Sequence, residues 1–449
     1  MKGWCIFYVG CNFTMFRKVS SLNQVMWILI LGEFISLNLS AQELLISGEI
    51  RSRSEYRDGY SKPLNINNDP GVFTSQRSRL SFAWNSTELN TLVTLQDARV
   101  FGQESHASST SAVGIYEAWA DVALAPGLRF KIGRQAIKYD DNRLFSAPAW
   151  SLTGNSHDLA LLTYQFQRFQ LHIASAYNNK TAINSETFYT PGTKYRMMNY
   201  LWLTYPLTKS LTVSGIVVDE ALQDTIGIGT AYKKILMNHG ITLGGNLGYK
   251  HADFPVSGLL TTYFQTGENE KGYLMRGKML ALKVNCRLTK SVDFSLGGDY
   301  FSGDADDFAD GVQQNFKKLY GADHTFNGYM DYWNTPVTEG LLDYYGCTRL
   351  NINEKISVEG SFHLFYTDLS LKKAGVETGK DLGSELDLLI NYKLNKISTV
   401  QVGYCRYFVT ANTGLAKAIS VTIATGSPQW AYVMFTFNPV LLNTKNKKK

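Results

Sequence analysis

The chain is short of cysteine, of long apolar runs and of charge of one sign, and each shortage excludes something. It has 5 cysteines in 449 residues. Two of them, Cys5 and Cys11, precede the apolar core of a leader, which leaves Cys286, Cys347 and Cys405. An odd set of widely spaced thiols is no disulfide framework, and none has the spacing of a zinc site. Past the N-terminus no stretch reaches the roughly 18 apolar residues of a spanning helix. Basic residues number 44 against 38 acidic ones, a net of +6, too small an excess to point to nucleic acid. Part of that excess sits in the terminal "NTKNKKK" at Lys445, Lys447, Lys448 and Lys449. Helical periodicity is missing as well, since no long segment repeats apolar residues at a spacing of 3.6.

What is present begins with "MFRKVSSLNQVMWILILGEFISLNLSAQ". Arg17 and Lys18 precede a short apolar core from Val25 to Leu31, and "LSAQ" offers small residues for cleavage. Residues 1–41 therefore read as a secretory signal peptide, with Met15 as the start that best fits it. The mature chain begins near Gln42 and is exported.

Beyond the leader the period is two. "SRLSFAW" sets Leu80, Phe82 and Trp84 on one face; "LRFKIG" sets Leu128, Phe130 and Ile132 opposite Arg129 and Lys131. "MLALKVNCR" and "SELDLLINY" do the same. Half-buried strands of a soluble sandwich also alternate. Two features favour a membrane barrel. Short turns such as "NSTE", "APG", "PLTKS", "LTKS" and "NKIS" alternate with long polar connectors, as they do when one rim is trimmed and the other elaborated. The 26 Tyr and 24 Phe gather at strand ends, where interfacial girdles form. A closed barrel also satisfies every backbone polar group in lipid. The fold class expected is thus all-β: a transmembrane antiparallel barrel of about 18 strands, with short periplasmic turns and long extracellular loops. It would span residues 42–438 and end in a polar basic tail, 439–449. Between Thr225 and Leu288 there is one more strand-like segment than an even count admits.

If apolar faces meet lipid, the opposite faces line the lumen, because a charge on the lipid side costs roughly 2–4 kcal/mol near the midplane. This turns inward Glu49, Arg51 and Arg53; Arg77 and Arg79; Glu117 and Asp121; Arg129 and Lys131; and, farther on, Lys283, Arg287, Asp293, Asp299, Glu385 and Asp387. Such residues can simply pair across strands and fill the lumen. As a set, the basic groups of the first strands form the kind of ring that selects anions.

Two motifs stand out. In "GRQAIKYDDNRLFSAPAW" (Gly133–Trp150) Arg134 breaks the parity of its strand, and a bulge at Gly133 is expected to turn it inward. "YFSGDADDFADGVQQNFKKLYGADHTFNGYMDYWNTPVTEGLLDYY" (Tyr300–Tyr345) is the longest connector, and connectors this long are functional or folded into a lumen. Its acidic spacing does not match an EF-hand, so no metal is expected.

Together "GRQxxxYDDxRLF…W…G…HD" and "SGD…F…LYG…H.F.GYMDYW…GLLD" resemble the alginate export family of outer-membrane porins, across essentially the whole mature chain. The resemblance implies an 18-strand barrel with an Arg-lined constriction and lumen-occluding loops, carrying an anionic polysaccharide passively. It marks Arg134, Gln135, Tyr139, Asp140, Arg143, Trp150 and Asp158, and Ser302, Gly303, Asp304, His324, Gly328, Asp331 and Trp333. The many luminal carboxylates depart from a pure polyanion channel, so no cargo is carried over. The function expected is a porin of the Gram-negative outer membrane that passes an anionic or polar oligo- or polysaccharide through an Arg/Lys-lined constriction. The alternatives are a structural or receptor barrel that binds a partner through its loops, and a general small-solute porin. An enzyme is not expected: Ser156, His157 and Asp158 are chain neighbours on a strand and cannot converge as a triad. The implied partners are the saccharide, outer-membrane lipid and the barrel-assembly machinery, for a monomer that needs no cofactor and no nucleic acid.

Overall fold

The computed structural model describes residues 42–447 apart from 66, 106–112, 149, 186–194, 227–233, 306–307 and 420–426. The leader lies outside the described residues. In chain order the strands are β1 (Glu43–Asp58), β2 (Gly71–Asn85), β3 (Leu89–Val100), β4 (Gly114–Ala125), β5 (Leu128–Gln135), β6 (His157–Phe166), β7 (Phe169–Tyr177), β8 (Met197–Pro206), β9 (Leu211–Ile226), β10 (Lys234–Lys250), β11 (Val256–Gly267), β12 (Leu274–Met275), β13 (Lys278–Arg287), β14 (Val292–Phe301), β15 (Val312–Gln313), β16 (Leu341–Asn351), β17 (Ile356–Lys373), β18 (Val376–Lys393), β19 (Ser398–Phe408), β20 (Gln429–Phe437) and β21 (Val440–Asn443).

All but β12, β15 and β21 join, each to the next, in one antiparallel sheet of 18 strands. β20 then pairs with β1, from Ile50↔Phe437 to Asp58↔Gln429, and closes the barrel. Closure leaves no edge whose N–H and C=O groups would face hydrocarbon. The surplus segment "TIGIGTAYKK" is not a spanning strand of its own: Thr225 and Ile226 end β9 and Lys234 opens β10. After β20 the chain turns back along β1. β1 starts below the end of β20, and its lower backbone groups need partners. β21 supplies them, at Leu45↔Asn443 and Ile46↔Leu442.

The alternation places the faces as the sequence requires. Phe82, Ile132, Leu280, Leu282, Leu388, Ile390, Val433, Phe435 and Phe437 are exposed on the outer wall, while Arg77, Glu385 and Asp387 are buried inside. The core is therefore inverted relative to a soluble protein and lies in the lumen. It exists because two long connectors, 136–156 and 302–340, fold inward and pack on the wall. A small parallel sheet, β12 with β15, ties the connector 268–277 to the second of these loops.

Candidate functional site

The first inward loop leaves β5 without a bulge. Trp119↔Gly133 and Ala118↔Arg134 follow in unbroken register, although Gly133 has a φ of 124°. Strict alternation therefore continues, and Arg134 faces outward with Ile132. It pairs at 2.9 Å with Asp158, its neighbour across β6, and both side chains are exposed. The expected inward turn of Arg134 is thus corrected, and Asp158 likewise stands on the outer rim. Gln135 takes the inward place; it is buried and donates to the Leu159 carbonyl at 3.2 Å. His157 also points inward, to the Tyr195 hydroxyl at 2.9 Å, so the "SHD" run is split between faces.

Beyond Gln135 the chain crosses toward β7–β14. Tyr139 reaches His172 at 2.9 Å and Tyr200 at 3.2 Å and stacks on Trp202, whose Nε1 donates to Asp140 at 3.1 Å. Asp141 accepts from Thr261 of β11 at 3.2 Å and from Arg143 Nε at 2.8 Å. Arg143 then grips Asp299 of β14 with both terminal nitrogens, at 2.5 and 2.8 Å, beneath the Phe326 ring. The bidentate geometry is the strong form of this contact. Asp299 faces inward as expected, but the loop closes over it and it is not a free pore-lining charge.

The loop returns under four arginines. Arg51 donates to the carbonyls of Trp150 at 3.2 Å and Ser151 at 2.7 Å; Arg53 donates to Trp150 at 3.0 Å. Arg77 reaches Ser151 at 3.0 Å and Arg79 reaches Thr153 at 2.9 Å. Arg53 also lies 3.9 Å over the Trp150 ring, and Arg79 lies 3.6 Å over Tyr116. Arg51, Arg53 and Arg77 are buried by this clamp, and Arg77 makes an ion pair with Glu49 at 2.6 Å. Below them Glu117, Arg129 and Lys131 face inward. Glu117 accepts from the Ala136 amide at 3.0 Å, Arg129 pairs with Asp121 at 3.0 Å, and Lys131 sits 3.7 Å over Trp119.

The second loop meets the first. Ser146 donates its amide to Tyr320 at 2.9 Å, and the Tyr320 and Ala322 amides return to Leu144 and Asn142 at 2.8 and 2.9 Å. His324 stacks on Trp150 at 4.1 Å between centroids and on Tyr329 at 5.1 Å. Its Nδ1 is 2.9 Å from Asp331, whose other oxygen accepts from the Tyr60 hydroxyl. Burial pushes the Asp331 carboxyl up, but the contacts with His324 and Tyr60 outweigh it and hold this group below the usual carboxylate range. Ser302 and Asp304 serve the loop's own backbone: Ser302 donates to Gln314 at 2.6 Å, and Asp304 accepts the Gln314 amide at 2.7 Å. Trp333 is fully buried and donates to the Tyr407 hydroxyl at 3.0 Å.

Several contacts of the site were not foreseen. Glu385 accepts the Met330 amide at 2.7 Å, His363 meets Asp343 at 3.0 Å, and Lys318 donates to Asn327 at 2.7 Å. Inward parity marked Glu385, but no short-range signal links it to a loop 55 residues away. The sequence-predicted residues thus divide. Arg51, Arg53, Arg77, Arg79, Trp150, His324 and Asp331 form one junction, Tyr139, Asp140, Arg143 and Asp299 a second, and Arg134 and Asp158 belong to neither.

The sequence pattern of the family described as "Alginate export" matches residues 42–414. This chain belongs to the alginate export family. Its barrel is similar to crystal structures of outer-membrane proteins at low identity. OpdL of Pseudomonas aeruginosa has a TM-score of 0.61 and 11% identity, with 89% of this chain and 99% of that one covered. OpdO of the same organism has 0.60 and 13%, over 89% and 98%. OccAB2 of Acinetobacter baumannii has 0.57 and 13%, over 89% and 98%. No curated protein matches the chain in sequence. The family member described here is an outer-membrane, porin-like barrel of Gram-negative type and not an enzyme.

Proposed function

We propose that this chain is a passive channel for an anionic or polar oligo- or polysaccharide, drawn along the basic wall of β1–β5. The arginine clamp carries this reading. Arg51, Arg53, Arg77 and Arg79 spend their donors mainly on carbonyl oxygens, which bear no net charge. Among the described residues, Glu49 and Glu55 alone offset them as direct ion-pair partners. The cluster therefore keeps a positive field, which raises the local concentration of anions. On the facing strands, Asp299, Asp343, Glu385 and Asp387 are buried under the loops. The loops narrow the passage, and weak contacts at several points allow release as well as entry. The outward band of Leu, Val, Ile and Phe suits outer-membrane lipid, the aromatic last strand suits recognition by the assembly machinery, and closure within one chain suits a monomer.

Recordings from the purified protein in planar bilayers under a salt gradient test the proposal. The expected outcome is an open, anion-preferring conductance whose preference falls on Arg77→Gln. A cation preference unaffected by that replacement overturns it. Complete absence of conductance overturns it in favour of a receptor barrel.

A further inference from the structure

Three buried acids gather where the long loop 302–340 meets the wall of β16–β19: Asp343 on β16, and Glu385 and Asp387 on β18, each at most 1% exposed. Four of their six carboxyl oxygens have a hydrogen-bond partner. His363 Nδ1 stands 3.0 Å from both oxygens of Asp343, and Asn327 donates to one of them at 3.4 Å. Asp387 Oδ2 accepts from the Ser361 hydroxyl at 3.1 Å, and Glu385 Oε1 accepts the Met330 amide at 2.7 Å. Glu385 Oε2 and Asp387 Oδ1 have no partner among the described residues. The two residues are i and i+2 on one strand and share its inner face, and their carboxyls are within hydrogen-bonding reach of each other. Two carboxylates cannot bond to one another, because neither has a hydrogen to give. A carboxyl and a carboxylate can, and a single proton then serves both stranded oxygens.

The surroundings do not supply positive charge for three anions. β14 brings Asp299, matched by Arg143 from the first loop. β17 brings Glu359, paired with Arg349, and His363, whose Nε2 is 3.9 Å from Asp387 Oδ2. β19 brings the buried Cys405 thiol and Tyr407 hydroxyl. The loop brings Tyr329, which donates to Glu359; Asp331, which meets His324; and Lys318, which donates to Asn327 and to the Trp333 carbonyl. The segment after β19 brings Lys417, which donates to the Tyr332 carbonyl and lies 4.5 Å over Trp333. Even with His363 charged, one imidazolium stands against three carboxylates. A buried charge without a partner is neutralised by a proton rather than kept. Among the described residues, no three His, Cys, Asp or Glu side chains are grouped to hold a metal ion in its place.

We infer that Glu385 and Asp387 form a carboxyl–carboxylate pair whose single proton seats residues 327–333 of the long loop on the wall, so that rising pH lifts this part of the loop. The pair lies directly beneath it: an added Cβ at Gly328 would stand 2.7 Å from the Glu385 carboxyl, and Met330 bonds to that carboxyl. Loss of the proton leaves two adjacent anions and two stranded acceptors. Water relieves both, and water enters only when the loop rises. In the lifted, hydrated state both groups are ordinary carboxyls that ionise near pH 4. The seated state therefore holds one proton more than the lifted one. The pair's contribution to the seat is complete below about pH 4 and weakens about tenfold per pH unit above it, until the seated pair itself ionises. None of this depends on what the channel carries.

Infrared spectroscopy of the full chain in lipid vesicles at pH 7 tests for the proton. The parent is expected to show the C=O stretching band of a protonated carboxyl, and both Glu385→Gln and Asp387→Asn are expected to lose it. In each variant the side-chain amide supplies the missing hydrogen to the remaining carboxylate. Amide hydrogen exchange of residues 327–333 tests the seat, expressed as protection factors so that the intrinsic pH dependence drops out. Between pH 6 and 9, protection in the parent is expected to fall by about tenfold per pH unit relative to both variants. Absence of the band from the parent, its survival in both variants, or one pH dependence shared by all three proteins overturns the inference. Loss of protection at pH 7 on adding EDTA also overturns it, by placing a cation rather than a proton on the stranded oxygens. Should one variant not fold, the other carries the comparison. Should neither fold, the parent decides: its band and its protection must disappear together as pH rises, and a band that is absent or that outlasts the protection overturns the inference.

Discussion

Arg143 shows how a single residue organises the lumen. Asp299 and Asp343 face each other across β14 and β16, and both are buried. Two carboxylates so close in low dielectric repel unless cations intervene. Arg143 supplies one from the first loop, and His363 stands against Asp343. Removing one partner of a buried pair leaves an uncompensated charge and costs about 3–5 kcal/mol, whereas replacing both can be neutral. Arg143→Met is therefore expected to release residues 136–145 from the wall, seen as faster amide hydrogen exchange there. Arg143→Met with Asp299→Asn is expected to recover most of that protection. Arg143 and Asp299 were each legible in the sequence, one as a motif residue and one by inward parity. That they meet was not, because 156 positions separate them.

At the scale of the element, the long loop is held by a few directional contacts. The Tyr60–Asp331–His324 chain is one. The folded carboxyl of Asp331 titrates below its ordinary value. A lowered carboxylate pKa contributes stability above the unfolded value, near 3.9, which is lost as pH falls through the folded one. Acidification is thus expected to leave the loop in place down to about pH 4 and to loosen it below that. Asp331→Asn is expected to loosen it at neutral pH, and protease cleavage within 323–334 measures both. The turn at Gly328 is a second contact. Its φ is +84°, and an added Cβ would stand 2.7 Å from the Glu385 carboxyl. Gly328→Ala combines a left-handed conformation costing about 1–2 kcal/mol with a clash against the group that accepts the Met330 amide. Faster exchange of that amide is the expected result. The inward folding of this loop was legible from its length and residue pattern. The path was not, since its anchors lie on β1's following loop, β16, β18 and β19.

At the scale of the whole molecule, the barrel divides each strand's residues between two solvents. Leu282 and Asn285 are three positions apart on β13 and face opposite ways, the first exposed on the lipid side. Leu282→Arg is expected to destabilise the protein by about 2–4 kcal/mol in lipid vesicles, and Asn285→Arg by less than about 1 kcal/mol. Denaturant titration of the folded barrel measures the difference.

The sequence by itself determined the closed barrel, the strand count and the facing of the residues tested above. Hydrocarbon offers the backbone no partner, so a membrane-spanning chain with a two-residue period and one trimmed rim has a single solution. Arg134 is instructive here: its parity alone placed it outward, and the bulge invoked to turn it inward does not form. Only the tertiary structure decided that the arginines of β1 and β2 clamp a loop, that Arg143 meets Asp299, and that the end of the chain adds a short strand beside β1. These contacts join residues 74 positions apart or more. They depend on where the closed circumference brings its walls, a quantity that no local pattern carries.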